Sequence, residues 1–192
     1  MVIARAHLTL KEFLAQPEQK PALEYIAGEV TEKMPPVTEH IIVQLQFRDL
    51  VDGFARPGNL ARAFPELRET YAETSTIPDV SVFTWARLPR KPGGGWLNDV
   101  REPPDITFEI LSPGQSATDL LVRCLWYVAN GVRVALYADP SRRVVIAFRP
   151  GAEPVALEAV ATAARALGRR ERRAALRSTC GIGFTYTPPT HG

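Results

Sequence analysis

Apolar and polar positions recur along this chain in runs that each predict one element. Thr9 and Glu12 stand three apart ahead of an apolar-periodic stretch, the spacing of a capping box, and predict a short helix over about 9–16. ALEYIAGEVTEKM (22–34) alternates on either side of Ala27-Gly28 and predicts two strands joined by a tight turn. From Val37 to Phe54, Ile41, Ile42, Leu45, Leu50, Val51 and Phe54 recur at roughly helical spacing, and Arg56-Pro57-Gly58 stops that helix. Strands are predicted near 60–64, 67–72 and 77–83. Pro89, Pro92 and Gly93-Gly94-Gly95 make 84–104 a long loop, of a size that is usually functional or mobile. DITFEIL (105–111) reads as a mostly buried strand. A helix follows over 115–130, with Ser116 and Asp119 at capping spacing and Gly131 as its stop. VRVALYAD (132–139) and RRVVIAFR (142–149) predict strands joined at Asp139-Pro140-Ser141, and about 158–177 a last helix interrupted by Gly168.

Helix, hairpin, helix, strands, helix, strands, helix is the order of an α/β (α+β) domain with a mixed β-sheet flanked by helices. At 192 residues, one domain spanning 1–192 is expected, without internal repeats. No apolar run approaches the ~20 residues that span a bilayer, so no membrane partner is expected. MVIARAHLTLKEF lacks the apolar core of a secretory signal. Cys124 and Cys180 are too few for a disulfide framework or a zinc cluster, and a cytoplasmic home is the simplest expectation.

Charge changes the picture by its distribution. Residues 1–100 carry 11 basic and 13 acidic groups, and 101–164 carry 6 and 7. Residues 165–177 carry six arginines and one glutamate, so the net +2 of the chain comes from that stretch alone. Arg165, Arg169, Arg173 and Arg177 would form one stripe on a helix, suited to phosphates or simply to solvent. A uniformly basic nucleic-acid coat is excluded, and so is an acidic disordered chain.

Two carboxylates are candidates for chemistry. Asp79 opens the strand after Pro78, and Glu109 interrupts an apolar strand, where a buried charge is costly unless paired or metal-bound. On neighbouring strands the two could hold a hard divalent cation. Alternatively, Glu109 points outward and is solvated. Glu24 could join them or be an exposed hairpin residue. His40 reads as a helix-end histidine and Asp119 as a cap. Arg123 shares a helix face with Asp119 and Tyr127, either as half of a surface pair with Asp119 or as a cation aimed at the carboxylates.

LEYIAGEVTEKMPPVTEH, IPDVSVF, PPDITFEILSPGQS, RCLWYVANGVRVALYADP and VVIAFRPG, in that order, resemble the Uma-two family of restriction-endonuclease-like proteins, in the PD-(D/E)XK nuclease-like superfamily. The resemblance covers about 8–157 and leaves 158–192 as a divergent basic segment. It implies a restriction-endonuclease-like core, a Mg²⁺ (or Mn²⁺) cofactor and cleavage of nucleic acid, DNA before RNA. Carried over residue by residue, it puts catalytic roles on Glu24, Asp79, Glu109 and Arg123, with Asp79, Glu109 and the Ile110 carbonyl as metal ligands. The superfamily's lysine two residues after the strand glutamate is Leu111 here, and the position in the following helix is Arg123. An arginine offers charge but does not give up a proton. A nuclease-fold module that only binds nucleic acid or protein is therefore the alternative. A homodimer is expected on symmetry grounds alone.

Overall fold

The structure is a computed structural model that describes residues 8–157. Its short first helix, α1 (Leu10–Leu14), starts at a complete capping box in which Thr9 and Glu12 each satisfy the other's backbone N–H. The hairpin β1 (Leu23–Ile26) and β2 (Glu29–Glu32) turns at Ala27-Gly28, both at positive φ (52° and 86°), the conformation that fits the twist of paired strands. Next come α2 (Thr38–Ala55), β3 (Ala61–Pro65), β4 (Glu69–Tyr71), β5 (Thr74–Thr76) and β6 (Val80–Thr84). A single 3₁₀ turn, Trp85–Arg87, precedes β7 (Ile106–Ile110), α3 (Ala117–Ala129), β8 (Val134–Asp139), β9 (Val144–Phe148) and β10 (Val155–Leu157). The three-residue strands β5 and β10 are too short to show a period and escaped the sequence reading. The helix expected over 158–177, with its arginine stripe, lies outside the described residues.

The strands form two sheets. Six run in the order β10-β9-β8-β7-β6-β3 and four in the order β2-β1-β5-β4. In the larger sheet only β7 and β8 are parallel, joined through α3. Helix α2 covers one face: Phe47, Val51 and Ala55 pack on Val80, Val82, Ile106, Phe108, Ile110 and Leu136. Helix α3 covers the other, with Leu120, Cys124 and Tyr127 on Ala135, Tyr137 and Phe148. Because side chains alternate along a strand, β7 sends Ile106, Phe108 and Ile110 toward α2 and Glu109 toward α3.

Helix α2 spans the stretch expected from sequence and buries a partly polar face. Its buried positions are His40, Gln44, Phe47, Val51 and Ala55, while Ile41, Ile42, Leu45 and Leu50 are exposed. Of the six apolar residues that marked the helix, Val51 is buried and Phe54 packs on the core, while these four face outward. The inner face is polar over its first turns because it abuts buried polar groups at the end of β6. No helix among the described residues is long and apolar enough to cross a membrane.

Phe47 and Phe108 stack with ring centroids 4.0 Å apart and clamp α2 to the sheet. Phe108→Ala should cost about 3–5 kcal/mol of stability through lost burial and the cavity left behind. A urea unfolding curve shifted by less than about 1 kcal/mol would show that this contact does not hold the helix down.

Candidate functional site

The strand register brings the sequence-predicted residues together. Glu24 on β1 stands opposite Thr31 on β2, so Glu24, Thr31 and Lys33 share one face of the hairpin. Asp79 ends the turn into β6, Glu109 lies on β7, and Arg123 occupies the second turn of α3. All three carboxylates are at most 4% exposed. The solvated readings of Glu24 and Glu109 are therefore wrong. Glu24 lies on a strand flanked by β2 and β5 in a sheet that alternation in one hairpin does not announce, and Glu109 lies beneath α3.

Asp79 is the hub. Its Oδ2 accepts the backbone N–H of Ile110 at 2.8 Å, tying it to the residue after Glu109. Its Oδ1 accepts from Lys33 Nζ at 2.8 Å and lies 3.3 Å from His40 Nε2. Its carbonyl accepts from Gln44 Nε2 at 2.7 Å. Burial disfavours its charge, but the His40 and Lys33 side chains outweigh that and hold its carboxyl below the usual range. His40 is itself oriented by Ser112 Oγ, 2.7 Å from Nδ1.

Arg123 bridges the other two acids. One Nη donates to Glu24 Oε2 at 2.6 Å, and the other is 3.7 Å from Glu109 Oε1. This replaces the surface pair with Asp119; Asp119 instead sits in the cap, its N–H donating to Ser116 Oγ. Glu24 Oε1 accepts the Ile77 N–H at 2.7 Å. Glu109 Oε1 accepts from the Tyr127 hydroxyl at 2.6 Å. Burial first, and then the charge of Asp79, push the Glu109 carboxyl up, against the pull of Arg123 and Lys33.

Four participants were not assigned roles from sequence. Lys33 follows a strand of alternating charge and looked solvated, yet Nζ reaches both Asp79 and the Ile77 carbonyl, the latter at 2.7 Å. Burial lowers its pKa, but the three carboxylates more than reverse this, so it is held protonated. His40 and Gln44 sit four apart on the inner face of α2, and that polar interruption was their signal. The fourth is Glu69 on β4, whose two oxygens find no hydrogen-bond geometry with any described partner. Burial, resisted by the Ser81 hydroxyl and reinforced by Glu109, pushes its carboxyl up to about 8.

The donor set is hard oxygen. Among the described residues, no group of three or more His, Cys, Asp and Glu forms a ready-made metal cage. An ion here would rest on two carboxylates, a carbonyl and water, which suits Mg²⁺ better than zinc.

Residues 10–172 match the family Uma2, described as "Putative restriction endonuclease". The match extends past 157 into the arginine-rich stretch. A solved structure from Anabaena variabilis, described as a putative nuclease belonging to DUF820, is 38% identical with a TM-score of 0.75. The alignment covers 79% of this chain and 84% of that one. The curated proteins contain no match.

Glu69 carries a pH signature. Its folded pKa is raised, so the stability it contributes is full below its ordinary value of 4.5 and is lost as pH rises through about 8. Glu69→Gln should flatten the fall in unfolding free energy between those pH values. Denaturation curves at both ends that keep the wild-type difference would contradict this.

Proposed function

The chain belongs to the Uma2 family, and from that premise we propose that it is a metal-dependent endonuclease hydrolysing phosphodiester bonds of DNA. The observation that carries the reading is the convergence of Glu24, Asp79 and Glu109 with Arg123 and Lys33 in one buried network. Asp79, Glu109 and the Ile110 carbonyl are the groups that would hold Mg²⁺ (or Mn²⁺). When bound, the ion supplies a water of lowered pKa and positive charge against the phosphate. Two adjacent carboxylates of like charge favour such an ion, and Glu109, raised first by burial and then by the charge of Asp79, would be relieved by it.

The side chains have distinct tasks. Lys33, held protonated beside Asp79, offers charge to the pentavalent transition state rather than acting as a base. It stands in for the superfamily lysine missing at Leu111 and Arg123. Arg123 keeps its proton and positions Glu24 and Glu109. Tyr127 orients Glu109, while His40, Ser112 and Gln44 orient Asp79. A twofold homodimer would present two such sites to one duplex.

Asp79→Ala should abolish Mg²⁺-dependent cleavage of a DNA plasmid; undiminished cutting would sink the assignment. Lys33→Met should lower kcat by about 10²–10³-fold, the usual loss when one transition-state donor is removed. A rate within twofold of wild type would remove Lys33 from the chemistry. The second reading, a module that binds without cutting, is favoured by Arg123 standing where the family has lysine. It wins if neither the wild type nor Arg123→Lys cuts DNA or binds Mg²⁺.

A further inference from the structure

A groove of about 740 Å³ reaches Lys33, and apart from that residue its lining is not used by the chemistry above. Its inner wall holds Lys33 and Ile77, the two residues that touch Asp79 and Glu24 from behind. Its outer wall holds Arg62, Phe64 and Trp96. One end of the groove therefore reaches the site through a side chain shared by both.

Arg62 and Phe64 come from β3, and Trp96 from the segment expected to be a long loop, which turns back on itself in a tight hairpin. Arg90 and Trp96 pair across it, and the Lys91 and Leu97 N–H groups donate to the Gly95 and Pro89 carbonyls. Gly93, Gly94 and Gly95 all take positive φ (85°, 101° and 85°), which lets the chain reverse in so few residues. Beneath it, Phe83, Leu88 and Val100 form a small apolar cluster against Phe64.

On this base, cationic and aromatic planes alternate. The Arg90 guanidinium lies 5.1 Å from the Trp85 ring and 5.3 Å from the Trp96 ring. Arg62 lies 5.1 Å from Trp96 and 5.7 Å from Phe64. Trp96 remains 40% exposed and Trp85 36%. Four cationic side chains line the groove (Lys20, Lys33, Arg62 and Arg68) against two carboxylates, Glu18 and Glu66. Arg68 is engaged by Glu18, and Lys33 by Asp79, which leaves Lys20 and Arg62 against Glu66, a balance of one positive charge.

Resting on the endonuclease reading, we propose that this groove binds unpaired nucleotides of the substrate strand, stacking a base on the Trp96–Arg62 face and leading the adjoining phosphate toward Lys33. The charge excess selects a polyanion, and the planar faces select a base whose own face is free. In a duplex interior that face is covered by its neighbours, so the ligand is a single strand. The volume falls within the range of about 300–1,000 Å³ that holds a small organic ligand, room for a nucleotide or two.

The test is fluorescence anisotropy in EDTA, so that nothing is cut, with a labelled oligothymidylate of about a dozen nucleotides and a blunt duplex of equal length. The wild-type chain should bind the single strand more tightly and lose tryptophan fluorescence on binding. Trp96→Leu keeps apolar bulk without a ring face and should weaken single-strand binding about tenfold, leaving the duplex unaffected. Trp96→Phe should restore most of that loss. If Trp96→Leu fails to fold, Arg62→Gln carries the same expectation. Unchanged single-strand affinity, or equal loss on both probes, overturns the proposal. Cleavage assays with Mg²⁺ separate the two readings. Trp96-dependent binding without cutting keeps the groove and ends the endonuclease assignment. Asp79-dependent cutting with strand binding indifferent to Trp96 does the reverse.

Discussion

Glu24, Asp79 and Glu109 are buried together, and that crowding organises this end of the molecule. Carboxylates out of water raise each other's pKa unless cations or donors are built among them. Here Arg123 lies between Glu24 and Glu109, while Lys33 and the Ile110 N–H meet the two oxygens of Asp79. The compensation is uneven. Asp79 is held ionised, while Glu109 and Glu69 are pushed toward their protonated forms. The surroundings thus displace neighbouring acids in opposite directions within a few ångströms of one another.

The rest of the fold holds those groups in register. The α2 side of the larger sheet is apolar and anchors the strands, with Phe47 stacked on Phe108. That frees the opposite face of β7 to carry Glu109 beneath α3. The hairpin of the smaller sheet brings Glu24 and Lys33 across the end of β6. Contributions come from both sheets and both long helices, so the site depends on their mutual packing rather than on any one motif.

Much of the secondary structure was legible. The capping box before α1, the cap at Ser116, the Ala27-Gly28 turn and the strand DITFEIL all appear as expected, because each rests on contacts a few residues apart. Asp79, Glu109, Glu24 and Arg123 were singled out by their placement in apolar strands and by family resemblance, and they do converge. Lys33, Gln44 and Glu69 were missed. Each looks like an ordinary polar position in its own element, and only a partner distant in sequence makes it buried. The polar inner face of α2 was not legible for the same reason: Gln44 meets the Asp79 carbonyl, 35 positions away.

The sequence by itself determined the alternation, capping and turn signals, and hence the order of elements and the residue types available for chemistry. These follow from backbone sterics and from hydrogen bonds a few residues long. Tertiary structure alone decided which charged residues lost their water. It divided the strands into two sheets, turned Glu109 under α3, and brought Lys33 to Asp79 across 46 positions. Burial is a property of the assembled layers, and a carboxylate's chemistry depends on burial and on the charges within a few ångströms, neither of which a linear pattern encodes.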